Sequence, residues 1–178
     1  MTFFILGAHP ELSIAELKIL LGVDVQLKHL SHEIATAETV NNIETVKSRA
    51  AGVSKIGETF AELAQWQEEE AADVIAAFAR EAAGKQKISF GISVYDAGNR
   101  ELASYLTKHR DQFGLAVKKR LKDTGRSIRF VSGKERALSS VIVESNHLLE
   151  SGGEFVLLCY ADRVLLGQTS WIQDFKGW

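Results

Sequence analysis

The residues of this sequence best placed to do chemistry are cations. Between Arg100 and Arg136 stand eleven lysines and arginines against four carboxylates (Glu101, Asp111, Asp123 and Glu135), a net charge of +7. Residues 1–83 carry six basic and thirteen acidic side chains, a net charge of −7. The whole chain has a formal charge of only −2, so its charge is segregated along its length. A field of one sign attracts polyanions over about a Debye length, ~8–10 Å at physiological salt. The chemistry implied is electrostatic capture of a polyanion. A charge run is also what an ordinary solvated helix face looks like.

Other reactive side chains are more weakly patterned. His29 and His32 have the spacing of half a metal site, but they straddle a polar turn with no other His or Cys nearby, which reads as a surface pair. Cys159 is the only cysteine and lies in the apolar run FVLLCY, as a buried small hydrophobe does. Glu68-Glu69-Glu70 reads as a solvated connector. His9 precedes Pro10 in a turn, and His109 and His147 fall in helical contexts. No nucleophile elbow accompanies any serine.

The elements that position the cations follow from periodicity. Leu102, Leu106, Phe113, Val117 and Leu121 recur at helical spacing, and at about 100° per residue Lys118, Lys119 and Lys122 fall on the opposite arc. Gly125 stops that helix. Ser127 to Val131 alternates as a strand, and Ser132-Gly133-Lys134-Glu135-Arg136 is a loop offering two cations and backbone N–H groups. Arg110, Lys118, Lys119, Lys122, Arg126 and Arg129, with Lys134 and Arg136, are therefore expected on one edge. Tyr105 and Phe130 are candidates for stacking an unpaired base.

The preceding chain reads as strand 2–6, a helix started by Pro10 and carried by Ile14, Leu17, Leu20 and Leu21, strands 23–30 and 33–37, a helix over 42–50, and strand 55–60. The order β-α-β-β-α-β is the ferredoxin-like arrangement. A connector at 66–70 leads to an alanine-rich helix over 71–83 that ends at Gly84. Strand 87–95 precedes the basic helix. Ser139 is an N-cap candidate for a short helix over 139–149, the preferred reading although the β-branched Val141-Ile142-Val143 favours a strand, and strands 154–160 and 164–169 form a hairpin. The boundary between two α+β modules is expected near 61–70.

Length and composition bound the rest. A chain of 178 residues with 46% hydrophobic and 25% charged residues is globular. No run approaches the ~18 apolar residues of a membrane span. The opening MTFFILGAHP lacks a signal peptide's positive n-region and cleavage site, and one cysteine offers no internal disulfide, so a cytoplasmic location is expected.

Several stretches resemble one family. FILGAHPELSIAEL at 4–17 and KIGE at 55–58 are similar to the N-terminus of the THUMP-containing archaeal and eukaryotic-type tRNA guanine-N2 methyltransferases, which act on a guanosine near the D-arm. SGKERALSSVIVESNHLL at 132–149 and FVLLCYADRVLLGQTSWIQD at 155–174 resemble the same family's THUMP domain and its exit. The resemblance implies an α+β chain: a ferredoxin-like domain over 1–62, a THUMP α/β domain over 63–170, and 171–178 as a linker toward a catalytic domain. It implies binding to the acceptor stem and 3′ end of tRNA, and places Lys134, Arg136 and Ser139 in the matching loop-to-helix segment. Trp171 and Trp178 would pack locally or meet that further domain.

The sequence departs from the family in its chemistry. The catalytic domain holds its target amine with an Asp/Asn-Pro-Pro-aromatic motif, and Pro10 is the only proline here. Gly84, Gly91, Gly98 and Gly114 form no G-x-G turn for S-adenosylmethionine. The expectation is a substrate-binding part with no cofactor of its own, partnered by tRNA and by a catalytic domain in cis or a modifying enzyme in trans. Two alternatives stand beside it: an adaptor presenting tRNA to a different enzyme, and a ligand-sensing ferredoxin-like regulatory domain. Incubated with labelled S-adenosylmethionine and unmodified tRNA, the chain should give background counts. Counts that rise in proportion to pure protein would overturn this expectation.

Overall fold

A computed structural model describes residues 1–82 and 87–174. The N-terminal module comprises β1 (Thr2–Leu6), α1 (Pro10–Leu21), β2 (Leu27–Ser31), β3 (Ile34–Ala37), α2 (Ile43–Arg49) and β4 (Val53–Leu63). Its strands lie in the order β2-β3-β1-β4, every neighbour antiparallel, which is the ferredoxin-like arrangement expected. The second module adds α3 (Glu68–Ala82), β5 (Ile88–Asp96), α4 (Arg100–Lys122), β6 (Ile128–Val131), α5 (Ser140–Ser145), α6 (Leu148–Ser151), β7 (Gly152–Cys159) and β8 (Val164–Ile172). No helix among the described residues is long and apolar enough to cross a membrane.

All eight strands form one sheet, in the order β2-β3-β1-β4-β8-β7-β5-β6. β5 lies between β6 and β7 and runs parallel to both. Its residues are buried on both faces from Ile88 to Tyr95, as a central parallel strand requires. β8 pairs antiparallel with β7 on one side and with β4 on the other, and so joins the two modules.

Each face of the second module's sheet is covered. α3 and α4 lay Ile75, Ala79, Phe113, Val117 and Leu121 over Phe90, Ile92, Phe155 and Leu157. On the other face, Tyr95, Val156, Leu158 and Leu165 meet Phe3, Ile5 and Ile34 of the N-terminal module. Phe3 sits where β4 and β8 approach: a side chain at Gly57 or Gly167 would collide with its ring, so both strands need glycine there.

Local boundaries differ from the sequence reading in instructive ways. Glu68, Glu69 and Glu70 are the first turn of α3, not a connector, where carboxylates favour the positive end of the helix dipole. Residues 61–63, expected at the module boundary, belong to β4, which is lengthened by pairing with β8. Residues 23–26 lie outside β2. The tail expected as a linker begins inside β8, and Trp171 packs against the cluster of Phe4, Leu17, Val46 and Ile56. The helix stop at Gly84 and the tail 175–178 with Trp178 lie outside the described residues.

One polar cluster is buried at the junction. Lys55 of β4 and Glu154 of β7, 3% and 0% exposed, form an ion pair. Glu154 also accepts hydrogen bonds from Ser93 and from Thr169 at 2.7 Å. Lys55 donates to the carbonyl of Leu138. Removing one member of such a pair strands the other charge. Glu154→Ala should therefore lower unfolding stability by about 3–5 kcal/mol, while Lys55→Met combined with Glu154→Leu should cost less than Glu154→Ala alone. Urea titrations of the three proteins check this. A double variant at least as destabilised as Glu154→Ala would mean that packing, not the unpaired charge, sets the loss.

Candidate nucleic-acid interface

The basic helix is continuous. Asn99 caps α4, its side chain accepting from the Leu102 N–H at 3.0 Å, and 23 residues run to Lys122. Leu106, Phe113, Val117 and Leu121 claim its inner face, as their spacing predicts, with Ala103 buried beside them and Leu102, also expected inward, only half-buried. β6 lies close along it because Gly114 leaves room for the ring of Phe130. Phe130 is thus half-buried under the helix, whereas Tyr105 stays 49% exposed.

The expected cations part into two groups. Lys119, Lys122, Arg129 and Lys134 are exposed. Lys118 is half-buried rather than exposed, since it flanks the side of α4 turned to β6. Arg126 is also half-buried and donates to the Arg80 carbonyl at 3.4 Å. Arg129 alternates with Phe130 along β6 and so lies on the face of the strand away from the α4 packing. Arg136 forms an ion pair with Glu33 of the N-terminal module. Arg120, outside the expected set, bonds Asp73 and Glu69 of α3. The hydrogen bond to Asp73 is the main cause holding its guanidinium above the ordinary arginine value.

Arg110 is placed differently from the rest. It is 5% exposed, and its guanidinium donates to the backbone carbonyls of Gly133 and Glu135. It binds the loop from beneath. Asp111 beside it accepts from the Ser132 hydroxyl at 2.7 Å. Farther along, the Arg136 carbonyl accepts from Val94 N–H at 3.0 Å, and Leu138 N–H donates to Ser93 Oγ at 2.9 Å. Ser139 caps α5, accepting from the Ile142 N–H at 3.3 Å, the role its position predicts.

This pinning orients the loop. In a trans peptide the C=O and the next N–H point in opposite directions, and the described residues contain no cis bond. With the carbonyls of Gly133 and Glu135 turned to Arg110, the N–H groups of Lys134 and Arg136 turn away from it. The loop therefore presents two N–H donors and the Lys134 ammonium. Arg110 and Lys118 are eight residues apart, about 12 Å along the helix axis and about 80° around it, whereas Lys119 and Lys122 lie farther round, at about 180° and 120°. Such an arrangement can hold successive phosphates by charge and by backbone N–H groups.

Sequence reasoning missed Ser93 and Lys55, which hold Leu138 from below, and Glu154, which accepts from both of them. Their signal is a charge inside an otherwise apolar strand: Lys55 in VSKIG and Glu154 in GGEFVLL. Cys159 is buried, and burial, with a smaller contribution from Asp96, pushes its thiol up to about 12. Arg110→Ala should release the loop while α4, held by its apolar face, persists. Amide exchange at 133–136 should rise while exchange across 113–121 holds. Unchanged protection in the loop would show that Arg110 does not position it.

No family model matches the chain, and no curated protein matches it. Solved structures do. PH1313 from Pyrococcus horikoshii Ot3 superposes with a TM-score of 0.52 at 11% identity, over 98% of this chain and 55% of that one. A 4-thiouridine synthetase solved with RNA and bound ATP gives 0.53 at 12% identity, over 98% and 42%. TrmN from Thermus thermophilus gives 0.50 at 14% identity, over 95% and 45%. The chain spans about half the length of these proteins or somewhat less. At such identities the likeness is one of fold: an α+β chain in which a ferredoxin-like βαββαβ module is followed by a THUMP-type α/β module.

Proposed function

We propose that this chain is the tRNA-binding part of a tRNA-modifying enzyme, with the acceptor stem and 3′ end as the RNA it holds. Its two modules, expected over 1–62 and 63–170, meet at the end of β4 and run to the end of β8, with the segment after β8 leading toward a catalytic domain, and the cytoplasm is its place. The observation that carries the reading is the loop 132–136, pinned from beneath by Arg110 so that its N–H groups and Lys134 face outward. A 4-thiouridine synthetase of the same fold was solved bound to RNA, which supports the same reading.

The finer assignment follows the family resemblance: guanine-N2 methylation from S-adenosylmethionine, performed by a domain outside this chain. The residues here do not suit that cofactor. The turn from β5 into α4, at 97–99, holds a single glycine, Gly98, and no G-x-G cradle. Arg110, Lys118, Lys119, Lys122, Arg126, Arg129, Lys134, Arg136 and Ser139 remain the proposed binding set, with two roles. Lys118, Lys119, Lys122, Arg126, Arg129 and Lys134 meet phosphate directly. Arg110, Arg136 and Ser139 shape the loop. An open reading frame continuing past codon 178 into a Pro-Pro-aromatic motif would favour the methyltransferase; a stop there would favour an adaptor.

The test is a salt titration of tRNA binding. Lys118→Glu with Lys122→Glu should keep the circular dichroism spectrum, lower affinity on the order of tenfold near 0.1 M salt, and flatten the dependence of log K on log salt. Lys28→Glu with Lys47→Glu is the control, since these cations already face Glu38 at 3.8 Å and Glu44 at 2.8 Å. Equal losses in the two double variants would reduce the basic edge to a solvated helix face.

A further inference from the structure

The parallel strands β5, β6 and β7 end on one edge of the sheet, and the basic loop follows β6 there. A cavity of about 590 Å³ opens on the same edge, at the ends of β5 and β7. Three aromatic side chains line it: Trp66 ahead of α3, Tyr105 on α4, and Tyr160 in the β7–β8 hairpin. Gln65, Asn99, Glu101, Asp162 and Arg163 form its polar lining. The Arg136 carbonyl is bonded at Val94, five residues short of Asn99, so the loop passes at most about 17 Å from it even at full strand spacing.

The rings are only partly taken up by the core: Trp66 and Tyr160 pack against buried clusters yet stay half-buried, and Tyr105 is exposed. Trp66 meets Phe113 edge-on, with centroids 5.1 Å apart, and remains only half-buried. Tyr105 is exposed and backed by His109, its ring 4.3 Å away and tilted by 33°. Such a partner stiffens an exposed ring. The Arg163 guanidinium lies 4.9 Å over Tyr160. That cation is already matched by Asp162 at 3.3 Å and Glu62 at 3.6 Å. The lining is therefore aromatic and rich in hydrogen-bond acceptors, the reverse of the phosphate-binding loop beside it. A phosphate would be repelled by Glu101 and Asp162. A flat heterocycle with N–H donors on its edge would be held by both the rings and the carboxylates.

We propose that this cavity receives one unpaired base of the bound RNA and prefers guanine. Guanine carries two adjacent donors, N1–H and the N2 amino group, which one carboxylate can accept side by side. Adenine and cytosine offer one exocyclic amino group, and uracil a single N–H between two carbonyls. Stacking on Tyr105 and Trp66 supplies affinity for any base. Glu101 on α4 supplies the choice among them. This proposal rests on the RNA-binding reading, because it requires the backbone of the same RNA to lie on the loop 132–136.

Nucleosides isolate the pocket from the basic edge, since they carry no phosphate. Guanosine and uridine are titrated separately into the full chain at millimolar concentrations, and the Trp66 indole N–H resonance, assigned through Trp66→Phe, is followed. Guanosine should shift it with an affinity about fivefold or more above that of uridine. Tyr105→Ala should weaken both nucleosides by about fivefold or more. Glu101→Gln should bring the guanosine-to-uridine ratio toward one while leaving uridine unchanged. Lys118→Glu with Lys122→Glu should leave nucleoside binding intact. No shift at Trp66, or equal affinities that Glu101→Gln does not alter, would overturn the pocket even if tRNA binding responds to the lysine variants. A guanosine response that survives while tRNA binding ignores those variants would instead refute the basic edge and support the pocket.

Discussion

The buried pair of Lys55 and Glu154 is the constraint on which much of this structure depends. Two charges removed from water are tolerated only when each meets opposite charge and further hydrogen bonds. Here β4 provides the ammonium, β7 the carboxylate, β5 and β8 the hydroxyls of Ser93 and Thr169, and the loop before α5 the Leu138 carbonyl. Four strands and a loop must therefore arrive together. The negative charge is also felt nearby: burial and, less strongly, Glu154 hold the Tyr95 phenol well above its ordinary value. The pair couples the two modules to the segment that carries Lys134 and Arg136.

The basic stretch turns out to hold two kinds of cation. Arg110, Arg120 and Arg136 bind groups of the protein itself: loop carbonyls, the carboxylates of α3, and Glu33. The planar guanidinium with several fixed donors suits such bridging. Lys119, Lys122 and Lys134 stay toward solvent, where a point charge on a flexible stem can follow a phosphate. Acidic residues of the N-terminal half meet some of the cations, as Glu33 does Arg136, so the segregation of charge along the sequence becomes attraction between modules in space. What remains unmatched is concentrated on α4 and the loop after β6.

The edge formed by β5, β6 and β7 then carries two surfaces of opposite chemistry. One is cationic and lined by backbone N–H groups. The other is aromatic and rimmed by carboxylates. An RNA strand has both a phosphate backbone and flat bases with donor edges, and under the proposed function the two surfaces would divide those features between them. Arg163 illustrates the division: though cationic, it is matched by Asp162 and Glu62 and contributes a flat surface over Tyr160.

The sequence by itself determined whatever depends on near neighbours. Alternation placed the strands, helical spacing fixed the buried face of α4, Ser139 announced its cap, and the order of elements in the first module implied its ferredoxin-like arrangement. The basic segment was legible from a count of charges. Only the tertiary structure decided the partners of those charges, because each lies far away in the chain: Arg110 on carbonyls 23 and 25 residues on, Lys55 on a carboxylate 99 residues away. It also decided that β4 runs to Leu63, since its last residues are held by β8, more than 100 residues later. It returned Glu68–Glu70 to a helix, because packing of Ala71, Ala72 and Ile75 extends α3 back over them. Periodicity is a local consequence of backbone geometry and can be read along the chain. A charge in the sequence does not reveal whether it will meet water, a phosphate or a carbonyl, since that follows from which distant strands come to lie beside it.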